Sequence, residues 1–160
     1  MDEAKPPLCI SVIHESRELF GRRFHLSDGY RRGYAVWLGE GLGFRICSGE
    51  RVAVRVAPSS VAVRIARARP QRLDAFLDGE HRGFIRRSAA ASFRRDVLVL
   101  DGREHDLPRW MERETGFPGV ELWWGSLGSR PSICVAREED LLIGLLILTY
   151  VYVRAMVRGG

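Results

Sequence analysis

Residues 141–153 read LLIGLLILTYVYV, thirteen positions without a charge or a polar stripe. Glu138, Glu139 and Asp140 precede them, and Arg154 and Arg158 follow. Acids at the start and bases toward the end suit the positive and negative poles of a helix. Asp140 can cap it, and Gly159 and Gly160 can close it. The pattern predicts a helix over 141–157. The β-branched run 149–153 permits a strand as the rival reading of its second half. A helix that is apolar all round must be buried on all sides. The remaining sequence therefore has to supply a sheath.

Outward from that helix, the chain is a series of short apolar runs. Strands are predicted over 9–14, 22–26, 34–38, 43–47, 52–56, 61–65, 73–77, 81–86, 92–100, 120–124 and 132–135. Turn residues separate them: Asp28-Gly29, Ser48-Gly49, Asp78-Gly79, Asp101-Gly102 and Gly125-Ser126. Glycine accepts positive φ, and Asp or Ser can bond back to the backbone, so these are hairpin signals. Val52, Val54 and Val56 share one face of their run, with Arg51 and Arg55 on the other; Val61, Val63 and Ile65 alternate with Arg64 in the same way. Period two implies one dry face and one wet face. Sequential hairpins make a meander rather than a βαβ array. One stretch departs from this, 106–116 (DLPRWMERETG), where Asp106 can cap, Pro108 suits a first turn and Gly116 can stop. It predicts a short surface helix. A many-stranded barrel has a lumen to fill, and an apolar helix fills it. The expected fold class is mainly β: an antiparallel β-barrel of about twelve strands enclosing a C-terminal hydrophobic helix, with one short extra surface helix. It forms a single domain over 1–160, with a flexible lead-in at 1–7.

This arrangement, with Asp140 and the apolar run 141–148, resembles the C-terminal end of the tubby-like barrel superfamily, which includes the LURP-one-related proteins and the phospholipid scramblases. The stretch 19–29 (LFGRRFHLSDG) is similar to the early strand and turn of LURP-one-like chains. The resemblance implies a twelve-stranded barrel around a central helix, and a binding role toward phosphoinositide-type headgroups. No cysteine cluster for acylation and no acidic calcium loop is present, so the resemblance does not extend to lipid scrambling.

The net charge is +5, and Lys5 is the only lysine among 25 basic residues. Guanidinium forks favour carboxylate and phosphate partners. Four arginine pairs stand out: Arg22 and Arg23, Arg31 and Arg32, Arg86 and Arg87, Arg94 and Arg95. Arg22, Arg23, Arg86, Arg87, Arg94 and Arg95 are the candidate phosphate or lipid contacts, although alternation puts the members of a pair on opposite faces. Trp123 and Trp124 likewise split, one inward and one outward, and packing beneath 106–116 is the favoured reading.

Catalytic and metal residues: none are expected, and no cofactor. Cys9, Cys47 and Cys134 have no metal-ligand spacing and read as small core thiols of a reduced, cytoplasmic protein. Glu104, His105 and Asp106 form the densest titratable cluster and read as a solvated loop. Residues 39–43 (GEGLG) read as a hairpin turn, not a phosphate loop. The expected function is non-enzymatic binding of anionic phospholipid headgroups or a protein partner, at a cytoplasmic location peripheral to a membrane. The alternative is a tail-anchored protein with a small cytoplasmic β domain, although 17 residues over 141–157 is short for a span. Nucleic acid is disfavoured for want of lysine and of a clear basic–aromatic face. Oligomeric state is open.

Overall fold

A computed structural model describes residues 7–13, 23–39, 41–59, 72–88, 95–125 and 131–159, the side chains of 156–159 excepted. The predicted strand at 61–65, most of the lead-in, and the candidates Arg22 and Arg94 lie outside these residues. Eleven antiparallel strands among the described residues form one sheet. In chain order they are β1 (Leu8–Ile13), β2 (Arg23–Ser27), β3 (Gly33–Leu38), β4 (Phe44–Ser48), β5 (Arg51–Pro58), β6 (Arg72–Leu77), β7 (Glu80–Arg86), β8 (Val97–Leu100), β9 (Arg103–Asp106), β10 (Val120–Trp123) and β11 (Ser132–Val135). A 3-10 turn, Glu138–Asp140, leads into helix α1, Leu141–Gly159.

Strands β1 to β9 follow one another as a meander, and β10 and β11 return to lie beside β1. The Asp-Gly signals act as read: Asp78 and Gly79, and Asp101 and Gly102, all have positive φ. That is the type I′ geometry that matches strand twist. Asp28 caps its own turn, its Oδ1 accepting from the N–H groups of Tyr30 (2.8 Å), Arg31 (3.1 Å) and Arg32 (3.1 Å).

Inward-facing residues of every described strand but β9 join residues of α1 in one buried apolar cluster. From Leu145 to Val153 no residue is more than 5% exposed. The helix packs on β5, β10 and β11, and Tyr152 meets Phe24 of β2 edge to face at 5.0 Å. Strands from both halves of the sheet thus touch one helix, so the sheet curls around it. The β-branched run 149–153 is helical because an α-helix bonds its own backbone inside an apolar surround, where a lone strand could not. At Gly144 the helix lies so close to β11 that a Cβ would stand 2.8 Å from Val135 Cγ1. Among the described residues no helix is long and apolar enough to cross a membrane.

One polar device fixes how α1 sits. Asp96, 2% exposed, is held at the start of β8. Its Oδ1 accepts from Ser88 N (2.9 Å) and Ser88 Oγ (3.0 Å). Its Oδ2 accepts from Tyr150 Oη at 2.6 Å and pairs with the Arg154 guanidinium. A buried carboxylate is tolerable only when its oxygens are satisfied in this way.

The structure corrects several expectations. Residues 106–116 are not helical. Asp106 ends β9, Met111 has φ +72°, and Glu114 makes a β-bridge to Glu121 of β10. Tertiary partners take the backbone groups a helix would have used: Leu107 N donates to Asp96 O (2.8 Å) and Leu122 N to Arg113 O (2.9 Å). Glu104, His105 and Asp106 lie on edge strand β9 rather than in a loop. A bulge between Ile46 and Cys47 turns Val52 outward and Ala53 inward, so Val52 leaves the face of Val54 and Val56. Cys9 and Cys134 are not core thiols but a disulfide on the outer face, joining directly opposed residues of β1 and β11. Trp124 does pack beneath the 106–116 segment, its Nε1–H donating to Glu112 O at 2.8 Å.

Two outcomes are expected. Asp96→Ala removes the buried carboxylate that the Arg154 guanidinium and the Tyr150 phenol share, and should lower the unfolding free energy by about 3–5 kcal/mol in urea titration, partly recovered by adding Arg154→Met. Reduction, or Cys9→Ser with Cys134→Ser, releases a loop with a sequence separation of 125. It should cost about 4–5 kcal/mol on the chain-entropy model, read by comparing unfolding with and without reductant.

Candidate functional site

The outer face carries what the inner face does not use. Register converts its isolated arginines into a pattern. Arg23 of β2 stands opposite Trp37 of β3, Trp37 opposite Arg45 of β4, and Arg45 opposite Arg55 of β5. Arg55 stands opposite Phe76 of β6, and Phe76 opposite His81 of β7. These six residues form one transverse row over six strands. Cations and rings are interleaved within it. The Arg23 guanidinium lies 4.5 Å from the Trp37 ring centre and that of Arg45 5.7 Å. Arg55 lies 4.2 Å from the Phe76 ring, which meets His81 at 5.1 Å. The basic–aromatic face judged absent from the sequence is present.

Arg45 and Arg55 are the unusual pair. They face each other across two strands, both exposed, and among the described residues neither has a carboxylate partner. Directly opposed like charges destabilise a sheet. The rings beside them offset part of this through cation–π attraction, but among the described residues no carboxylate compensates the charges. Beside them lies a groove of about 340 Å³ lined by Trp37, Arg45, Arg55, Gly39, Gly43 and Pro58. Its end is the 39–43 hairpin, closed by Gly39 N donating to Gly43 O at 2.9 Å. That turn is the hairpin read from the sequence. The site offers two guanidinium forks, an indole 37% exposed and an apolar floor. Its chemistry is that of holding an anion next to a flat or apolar group.

The sequence candidates fare differently. Arg23 joins the row. Arg86 pairs with Glu104 (3.2 Å) and Arg95 with Glu112. The Glu112 carboxylate raises the Arg95 pKa. Arg87 is half-buried and has partners of its own. Other outer arginines are likewise engaged: Arg82 Nε donates to Asp101 Oδ1 at 2.8 Å, Arg72 lies 3.7 Å from Asp74, and Arg51 pairs with Asp78. Arg45 and Arg55 were missed because neither belongs to an arginine doublet. The available signal was alternation: each is the single charge between inward-facing apolar residues, Phe44 and Ile46 in one strand, Val54 and Val56 in the other.

No family model, no curated protein and no solved structure matches the chain.

Two carboxylates, Asp28 and Asp101, contribute to the acid limb of stability. Backbone N–H groups, that of Tyr30 foremost, hold the Asp28 carboxyl below its ordinary 3.8, and Arg82 does the same to Asp101. A depressed folded pKa adds stability above the unfolded value and loses it as pH falls through the folded one. These two contributions should therefore persist down to pH 3.8 and fade only below it. A pH series of thermal melts should show the acid loss shrink in Asp28→Ala.

Proposed function

We propose that the chain is a non-enzymatic binding domain, a tubby-like barrel of the LURP-one-related and scramblase-like kind, that takes a phosphate-bearing anion on its outer face. Phospholipid headgroups are the source that the resemblance favours. The observation that carries the reading is the opposed pair Arg45 and Arg55, exposed and without a carboxylate among the described residues. An uncompensated guanidinium pair costs stability in the free protein and is relieved by a ligand oxyanion, with forked geometry suited to phosphate.

Closure into a barrel fits the way the sheet ends. His105 of β9 stacks on Phe117 at 3.7 Å, and its Nδ1 lies 3.2 Å from Gly116 O. A few residues away Glu114 bridges to β10. The segment 113–117 thus spans the two edge strands, and a helix buried on all sides needs such a seam. With its lumen filled by α1, a barrel of this kind binds on the outside. The cytoplasmic location expected from the sequence was argued from reduced thiols, and the Cys9–Cys134 disulfide removes that argument.

The test is co-sedimentation with vesicles, neutral or carrying anionic phospholipid. The native chain should sediment with the anionic vesicles. Arg45→Gln with Arg55→Gln should weaken binding by about 2 kcal/mol, roughly thirtyfold, at about 1 kcal/mol per basic residue near the surface. Equal binding by a double variant with an unchanged melting curve sinks the assignment of the site.

A further inference from the structure

The groove is only the middle of the row. Taken whole, Arg23, Trp37, Arg45, Arg55, Phe76 and His81 make six rungs over five strand spacings, about 24 Å at 4.8 Å each. A single headgroup occupies one end of a groove; it has no use for a track of this length. Every rung is a cation, an aromatic ring or an imidazole. The ring contacts of Arg23, Arg45 and Arg55 all lie inside this one row. The row stops at an acid: His81 Nε2 lies 3.2 Å from Asp74 Oδ1.

We infer that this face binds single-stranded nucleic acid, with phosphates on Arg23, Arg45 and Arg55 and unpaired bases on the Trp37 indole and the guanidinium planes. The inference rests on the reading of Arg45 and Arg55 as an anion site and adds a ligand class to it. Unpaired bases stack on aromatic rings and on arginine planes, and every base has such a face, so recognition is tolerant of sequence. A track of about 24 Å accommodates at most about seven nucleotides at a rise of 3.4 Å. A duplex hides its bases and presents none of these faces to a sheet surface.

The experiment is fluorescence anisotropy with a labelled single-stranded oligothymidylate of about ten nucleotides, a length within the usual range of single-strand sites. A duplex of the same length and the anionic vesicles above are parallel arms. Binding should fall with salt at a log–log slope near −2, about 0.7 for each of three phosphate contacts. Arg45→Gln with Arg55→Gln should reduce the slope to about −0.7. Trp37→Ala should weaken binding on the order of tenfold while leaving the slope in place, because it removes stacking and no charge. Trp37 fluorescence should quench on binding in the native chain. Arg82→Gln, whose guanidinium is occupied by Asp101, is the control for lost positive charge and should bind as the native chain does. Equal affinity for duplex and single strand, or indifference to Trp37→Ala and to the arginine pair, overturns the inference. Binding to anionic vesicles without binding to the oligonucleotide also overturns it and leaves the proposed function standing. Loss of both arms removes the two together.

Discussion

An apolar helix with no wet side is the constraint on which everything else depends. An amphipathic helix can rest on a sheet; α1 cannot, because Leu145 to Val153 bring apolar side chains to every direction around the axis. Only a surface that wraps can cover it. A flat sheet offers contact on one side, so the chain provides one long twisted sheet in which β2, β5, β10 and β11 reach the same helix. Twist and the bulges at Ile46/Cys47 and Ala75/Phe76 supply the curvature. The meander order follows from economy: each hairpin adds a stave next to the last, and only β10 and β11 return to the first.

Apolar packing covers the helix but does not fix its rotation or depth, since one aliphatic contact resembles another. The polar and close-packed points do that. Asp96 Oδ1 is held by Ser88, and its Oδ2 meets Tyr150 and Arg154 of α1, so a helix slid by one residue would take both helix partners away from Oδ2. Gly144 permits the near contact with Ile133 and Val135 at the other end of α1. Gly83 does the same between strands, where a Cβ would fall 1.9 Å from Val99 O. The disulfide acts at a third place, tying the first strand to the last. These are specifications of register, laid over a hydrophobic effect that has none.

Most of the architecture was legible because it is written in short-range patterns. Alternation marks strands, Asp-Gly marks the tight turns, and thirteen uncharged residues mark a buried helix. What was illegible depends on partners distant in sequence. The 106–116 segment has helical caps, yet its backbone bonds go to Asp96 and β10, and no local pattern announces them. Strand β9 is Arg-Glu-His-Asp, with no apolar alternation to betray it; only the preceding Asp101-Gly102 turn implies a returning strand. Cys9 and Cys134 are paired by the β1–β11 register across nearly the whole chain. The row of cations and rings is the same case. Doublets such as Arg86 and Arg87 are conspicuous in a sequence, but a doublet is split by the pleat. Arg45 and Arg55, single arginines in neighbouring strands, are inconspicuous until register aligns them with each other and with Trp37 and Phe76.

The same alternation explains why the row of cations and rings lies on the outer face. In β4, Phe44 and Ile46 face the helix and Arg45 lies between them, outward; in β5, Val54 and Val56 face inward and Arg55 outward. The inner positions of these strands are buried in the same apolar cluster as α1, which leaves the outward positions for polar chemistry. A one-residue slip in either strand would drive an arginine against the helix and expose two apolar side chains. Core and outer row are therefore specified by one and the same register. That coupling lets the row tolerate an opposed pair of guanidiniums: the local repulsion is on the order of 1 kcal/mol, whereas relieving it by a slip would forfeit about 1.5–3 kcal/mol for each large side chain withdrawn from the core. The helix holds the arginines in their unfavourable alignment, and a bound oxyanion is the least disruptive way to relieve it.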